Sequence, residues 1–228
     1  SVKIVSLAHV SNTIGEVFAL EKVGKVLEQY AETSGNKKAL FVIDGSQSVP
    51  HFAVDVQTLG CDAMFFTGHK IFADSGIWVL WAKEELLNTL KPIFSWGGSI
   101  GYVNTDEFTH SEKLPDKFEP GTPNLSWAVS MLKAFEYIES IGWYKTLENI
   151  EHDLVLYTLE KLSEIPEVKL VWGKNADTRV WVFTFYVEEI HSFDISDYLA
   201  EHNICVRAGQ HCAEPFMDHE NRKQTCRM

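Results

Sequence analysis

Five consecutive apolar residues, Ala39-Leu40-Phe41-Val42-Ile43, run without alternation into Asp44-Gly45. A strand of this kind has no polar face to turn to water, so it belongs in a parallel sheet covered on both sides. Helices must supply that cover, which points to the α/β class. The flanking sequence agrees. Lys3 to Val10 reads as a strand, Asn12-Thr13-Ile14-Gly15 as a turn, and Val17 to Tyr30 as an amphipathic helix with Leu20, Val23, Leu27 and Tyr30 on one face. Cys61 to Phe66 reads as a third strand running into Thr67-Gly68-His69-Lys70. Gly76 to Ala82 reads as a fourth, followed by the helix formers Glu84 to Leu87.

From Lys91 to Asn124 no period is sustained, and glycines and prolines punctuate the text. An excursion of that length is usually functional or flexible. Two helices follow, Leu125 to Ser140 and Trp143 to Ser163, broken at Gly142. Val168 to Val171, Arg179 to Tyr186 and Ile204 to Arg207 then read as strands, with a short helix from Phe193 to Glu201 opened by Ser192. Loss of regular alternation suggests a second, α+β unit beside the first. The division expected is 1–138 for a large domain with a mostly parallel sheet and 139–228 for a smaller one.

Charge and composition narrow the function. With 20 basic against 32 acidic side chains, a formal net charge of -12 repels polyphosphate and speaks against nucleic acid. The longest apolar stretches fall far short of the ~20 residues of a membrane helix, so no membrane association is expected. Four cysteines, Cys61, Cys205, Cys212 and Cys226, are too sparse for a disulfide scaffold and suit reduced thiols in a cytoplasm. The N-terminal Ser-Val-Lys-Ile-Val-Ser-Leu-Ala-His-Val lacks an initiator Met and is no secretory signal. It reads as an internal strand, as if the chain began within a longer protein.

Four positions can carry chemistry. Asp44 ends a buried strand, where open α/β sheets bind ligands, and can orient a cationic heteroatom; it can equally cap the turn. Gln47 shares its loop. Lys70 follows a strand into a turn; partly withdrawn from water, such an amine becomes a nucleophile towards aldehydes, whereas most lysines are surface charges. Thr67 and His69 beside it can hold a phosphate. Cys212 lies in Arg207-Ala-Gly-Gln-His-Cys-Ala-Glu-Pro, where Arg207 and His211 offer positive potential that favours a thiolate; the alternative is a small buried hydrophobe. A zinc site from His211, Cys212, His219 and Cys226 is a further reading, at a spacing unlike ordinary fingers. Arg227 can clamp a carboxylate or stand as a solvated charge. Together, a strand-end Asp, a loop Lys and a distal Arg form the set that a pyridoxal phosphate enzyme handling amino acids requires.

At this point a family resemblance becomes specific. His9-Val-Ser-Asn12, Val42-Ile-Asp44-Gly-Ser-Gln47-Ser-Val-Pro-His51, Thr67-Gly-His69-Lys70, Phe118-Glu-Pro-Gly-Thr122-Pro-Asn124 and Arg207-Ala-Gly-Gln-His-Cys212-Ala-Glu-Pro occur in collinear order. They resemble the SUF-type cysteine desulfurases of the class V aminotransferase fold, the fold type I of PLP-dependent transferases. The Arg-x-Gly-x-x-Cys-Ala-x-Pro segment points to the SUF-type branch. The resemblance implies a partial large domain, a partial small domain and the cofactor pyridoxal 5'-phosphate. It implies that Lys70 holds the cofactor aldehyde, Asp44 meets the pyridine nitrogen, and Asn12 and Gln47 lie near the ring hydroxyl. Thr67 and His69 match phosphate ligands, and Thr122 matches a residue reaching the phosphate of the neighbouring subunit in a homodimer. Arg227 matches the carboxylate clamp, Arg207 lies near the substrate, and Cys212 is the thiolate that takes sulfur from L-cysteine as a persulfide, leaving L-alanine. A SUF-type sulfur-acceptor protein for iron-sulfur cluster assembly is the implied partner. A selenocysteine lyase acting on L-selenocysteine, a fragment inactive on its own, and a non-catalytic scaffold are the alternatives.

Departures from the family pattern are specific too. The resemblance places a phosphate-cradling Gly/Thr turn and a ring-stacking His before Ser1, and further small-domain structure after Met228, which leaves Arg227 with little expected support. Ala73-Asp-Ser-Gly76 replaces the usual Gly-Pro-Thr/Ser-Gly, and Met228 replaces a small residue.

Overall fold

A computed structural model of the chain describes residues 2–228. β1 (Ile4–Ala8), β2 (Leu40–Asp44) and β3 (Ala63–Thr67) pair in parallel, joined by α1 (Leu20–Ser34) and by the single turn of α2 (Val56–Leu59). β4 (Trp78–Ala82) runs antiparallel to β3 and completes the sheet in the order β1-β2-β3-β4. The reversal follows from the connection: residues 68–77 hold a single 3-10 turn, too short for the crossover that a parallel strand requires. α3 (Glu84–Thr89) follows. The stretch read as irregular contains a small hairpin, β5 (Ile100–Val103) with β6 (Phe108–His110). Gly101 and the bulge between Ile100 and Tyr102 hide the alternation on which a strand reading depends.

α4 (Leu125–Ser140) and α5 (Trp143–Ser163) agree with the sequence reading. α4 is opened by Asn124, whose side chain accepts from Trp127 N at 3.2 Å. β7 (Val168–Leu170), β8 (Thr184–Val187), α6 (Ser192–Glu201), β9 (Arg207–Gly209), α7 (Glu214–His219) and β10 (Thr225–Arg227) make up the rest, with an antiparallel sheet in the order β7-β8-β10-β9. Two strand readings are corrected and one strand is added. Residues 179–182 do not join the sheet: the Arg179 side chain turns inward and its guanidinium lies 4.0 Å from the centre of the Phe183 ring. It also donates to the carbonyls of Gly173, Ile14 and Val182. Ile204–Arg207 is displaced to Arg207–Gly209, and β10 lacked any strand signal.

Register assigns the faces of the first sheet. Ala8, Asp44, Phe65 and Leu80 stand side by side on one face. Phe41, Ile43 and Met64 point the other way, into a core with Leu20, Leu59, Met131 and Ile138. The expected cover on both faces is therefore present on one. α1, α2 and α4 all pack on the Phe41 side, while Ile4, Trp78 and Leu80 on the Asp44 side are 59–66% exposed. A smaller core of Phe185, Ile195 and Cys226 lies under the second sheet. Among the described residues no helix is long and apolar enough to cross a membrane.

The turn after β1 joins the two sheets. Val17 N donates to Thr178 O and Val180 N to Gly15 O, both at 2.9 Å, and Thr184 Oγ1 donates to Thr13 O. Gly15 has φ +70°, and a Cβ there would lie 2.6 Å from Val182 O and 2.9 Å from Val180 O. Only glycine gives both the left-handed turn and that backbone approach.

Candidate active site

The junction delivers residues from both sheets to one place. Asp44 ends β2, where its Oδ1 accepts from Ser46 N at 2.8 Å. Lys70 closes the 3-10 turn Gly68–Lys70 directly after β3, the neighbour of β2. It is half-buried, and burial pulls its amine below the ordinary lysine range; Arg227 pushes the same way and Asp44 opposes. An amine that sheds its proton readily, with a carboxylate and a guanidinium acting on it, suits reversible bonding to a carbonyl. Just before it, Thr67 is buried and its Oγ1 lies 2.7 Å from His69 Nδ1. The replaced loop beyond Lys70 is held firmly. Asp74 N donates to Ser130 Oγ at 2.9 Å, and Gly76 (φ +100°) sits where a Cβ would strike the Trp127 ring at 2.4 Å.

β10 brings the second group. Arg227 stands directly opposite Arg207 on β9, and like charges so paired repel. Neither forms an ion pair with a carboxylate among the described residues, so the pair is suited to an anion. Arg227 is half-buried; burial, then Arg207, weaken its hold on its proton, and Cys212 acts in the opposite sense. Its Nη1 donates to Asn12 O at 2.7 Å. Arg227 is better supported than the sequence suggested, because β10 is paired on both sides and Met228 exchanges 2.9 Å hydrogen bonds with Phe183. Cys212 is exposed in the loop after β9.

Asn12 bridges the two groups: its carbonyl takes Arg227, and its Nδ2 donates to His211 O at 2.9 Å. Gln47 lies half-buried in the turn after Asp44. Thr122 is exposed in the 119–124 loop, makes no side-chain hydrogen bond to the other candidates, and is not part of the cluster. One sequence expectation is reversed. His211 does not add positive potential, because burial, with Arg227 and Arg207 nearby, lowers its pKa to about 4. It is neutral at pH 7. The zinc reading is not assembled either: among the described residues no three His, Cys, Asp or Glu side chains converge as ligands. Cys226 Sγ instead donates to Ser192 O at 3.2 Å, and burial pushes its thiol up to about 11.

The depressed His211 carries a pH consequence. The unfolded chain takes up that proton near pH 6.5, whereas the folded chain refuses it until about 4, so stability falls as pH drops through this window. The loss amounts to at most about 3 kcal/mol from this group. His9, whose pKa burial also lowers against the pull of Glu21, adds in the same direction. Urea midpoints measured at pH 7 and pH 4.5 are expected to lie closer together in His211→Gln than in the wild type. An unchanged gap would show that His211 titrates normally.

Thr225 and Arg179 escaped the sequence reading. Neither sits in a motif, and their burial at the junction depends on pairings far apart in the chain.

The chain as a whole is similar to known proteins. The aminotransferase class-V family model matches residues 1–228. A probable cysteine desulfurase of Halalkalibacterium halodurans is 37% identical over 215 residues, covering 94% of this chain and 50% of that protein. The apo structure of a cysteine desulfurase from Thermococcus onnurineus NA1 superposes with a TM-score of 0.88 at 36% identity, covering 99% of this chain and 54% of that one. A further solved structure, C-DES with glycine covalently linked to its PLP cofactor, has a TM-score of 0.81 at 22% identity, covering 99% of this chain and 55% of that one; that likeness shows the fold. The chain thus spans about half the length of the curated relatives it matches.

Proposed function

The chain belongs to the aminotransferase class-V family, and from that premise we propose that it carries the Lys and Cys centres of a cysteine desulfurase. The reaction converts L-cysteine to L-alanine and leaves the sulfur as a persulfide on Cys212. The observation that carries the reading is the meeting of Lys70, Asp44, the Arg207/Arg227 pair and an exposed Cys212.

The donor set fits pyridoxal 5'-phosphate. A half-buried amine of lowered basicity suits the cofactor aldehyde, and a strand-end carboxylate suits a protonated ring nitrogen. Lys70, Asp44, Asn12 and Gln47 would hold the ring, and Thr67 and His69 the phosphate. Thr122, outside the cluster, would serve the neighbouring subunit of a homodimer. When bound, the cofactor supplies an electron sink for the bonds at the substrate α-carbon.

The chain's own groups do the rest. Arg207 and Arg227 bind the substrate carboxylate, which relieves their mutual repulsion. Lys70, readily deprotonated, accepts the α-proton and later returns one to carbon. The Cys212 thiolate forms an S–S bond to the substrate sulfur as the C–S bond breaks; the bonding electrons return to carbon, which is protonated to alanine. Further elements of the reading are a large-to-small division at 138/139, a SUF-type protein that accepts the sulfur for iron-sulfur cluster assembly, and a cytoplasmic setting. They rest on the quoted motifs and on the low cysteine density.

Alanine release from L-cysteine, measured with added PLP and a reductant on this chain and on one extended to the length of its relatives, tests the proposal. Alanine and sulfide in equal amounts are expected. Alanine from L-selenocysteine alone would move the assignment to a lyase of the same fold, and alanine from neither amino acid would contradict it.

A further inference from the structure

Residues 211 and 212 form an unusual elbow. His211 and Cys212 both have φ +59°, two adjacent side-chain-bearing residues in the left-handed region. That conformation is unfavourable for each and persists only when the surroundings over-determine it. Cys212 is exposed and cannot supply the restraint.

His211 can. Its side chain is 2% exposed, and its Nε2 lies 3.1 Å from Thr225 Oγ1. The Thr225 hydroxyl is fully buried and also lies 3.8 Å from Met217 Sδ, so it is enclosed between the imidazole and the thioether. The imidazole is therefore held through Nε2, and Nδ1 has no partner. The backbone is tied as well: His211 O accepts from Asn12 Nδ2 at 2.9 Å, and Ala213 N donates to Gln210 O at 3.0 Å. The anchor lies on the strand that bears the cations. Thr225 and Arg227 are two apart on β10 and so share a face, and their cross-strand partners are Gly209 and Arg207.

We infer that His211 is a positioning residue: its bond to Thr225 sets the left-handed elbow that presents the Cys212 thiol beside Arg207 and Arg227. Resting on the desulfurase reading, it adds a specific device. The buried ring fixes where the nucleophile stands relative to the groups that gather the substrate carboxylate. Thr225, silent in the sequence, becomes part of the nucleophile's support.

The test compares two alkylating probes of Cys212, iodoacetate, which carries a carboxylate, and neutral iodoacetamide. A Cys205→Ser background leaves Cys212 as the exposed thiol, since Cys61 and Cys226 are buried. Wild-type Cys212 is expected to favour iodoacetate about fivefold more than free N-acetylcysteine does, the scale of one charge pair near water. Thr225→Val is expected to abolish that preference and Thr225→Ser to restore it. Should Thr225→Val fail to fold by circular dichroism, His211→Leu and His211→Gln form the equivalent pair, because the glutamine amide keeps a donor at the Nε2 position. A preference retained in the folded Val or Leu variant overturns the positioning role while leaving the desulfurase reading intact, and so does loss without rescue by Ser or Gln. Absence of any preference in the wild type overturns it too. Failure of alanine release would instead remove the desulfurase reading.

Discussion

Cys212→Ser is expected to abolish persulfide formation and to lower alanine release from L-cysteine by about 1000-fold or more, the scale on which removal of a covalent nucleophile is felt. Serine keeps the size and loses the nucleophile, and Cys212 is exposed, so the substitution should leave the fold unchanged. The other thiols cannot substitute. Cys61 and Cys226 are buried, with both thiols pushed towards the neutral form, mainly by burial. Cys205, although exposed, precedes β9 and is no member of the Arg207/Arg227 cluster. Mass mapping after incubation with L-cysteine reads the result. Persulfide on Cys205, or undiminished turnover in the serine variant, would show that the nucleophile has been misassigned.

Lys70→Ala is the second large effect. The reading gives Lys70 two duties, attachment of the cofactor and transfer of the α-proton, and loss of the second alone is worth about 100- to 10,000-fold. Turnover is therefore expected to fall by at least about 1000-fold. The alanine variant should fold, because the Lys70 side chain makes no hydrogen bond or ion pair that holds the structure together among the described residues. Turnover within tenfold of wild type would show that another amine performs both tasks.

The parts of the fold legible in the sequence are those set by short-range chemistry. The apolar run ending at Asp44 gave β2 and its turn, and the period of α1 and the break at Gly142 gave three of the helices. The same run also required cover on both faces, whereas α1, α2 and α4 pack on one, because a strand's composition records what its faces need and not which segment supplies it. Where pairing spans the chain, local signal failed. Arg179–Tyr186 has the composition of a strand, but the buried Arg179 guanidinium takes three carbonyls and pulls its first half out of the sheet. β10 is three residues long and polar at Thr225, and it is a strand only because β8 and β9 flank it.

The site divides in the same way. Asp44, Lys70 and Cys212 stood in motifs and could be named. The charge of His211 could not, since its neutrality follows from burial and from two arginines that reach it through the tertiary fold. Nor could Asn12's position between Arg227 and His211 be read, because its two contacts lie 215 and 199 residues away. Thr122 carried a motif signal for a contact with a neighbouring subunit, and in this chain it is exposed and stands outside the cluster.

Borohydride reduction of the purified chain in the presence of pyridoxal 5'-phosphate, followed by peptide mapping, is the most direct test of the central claim that the site is organised around Lys70. The account predicts that the reduced adduct lies on Lys70 alone, in preference to the chain's exposed lysines, because burial lowers the basicity of this amine beside Asp44. An adduct scattered over surface lysines, or found on a different single lysine, would contradict it.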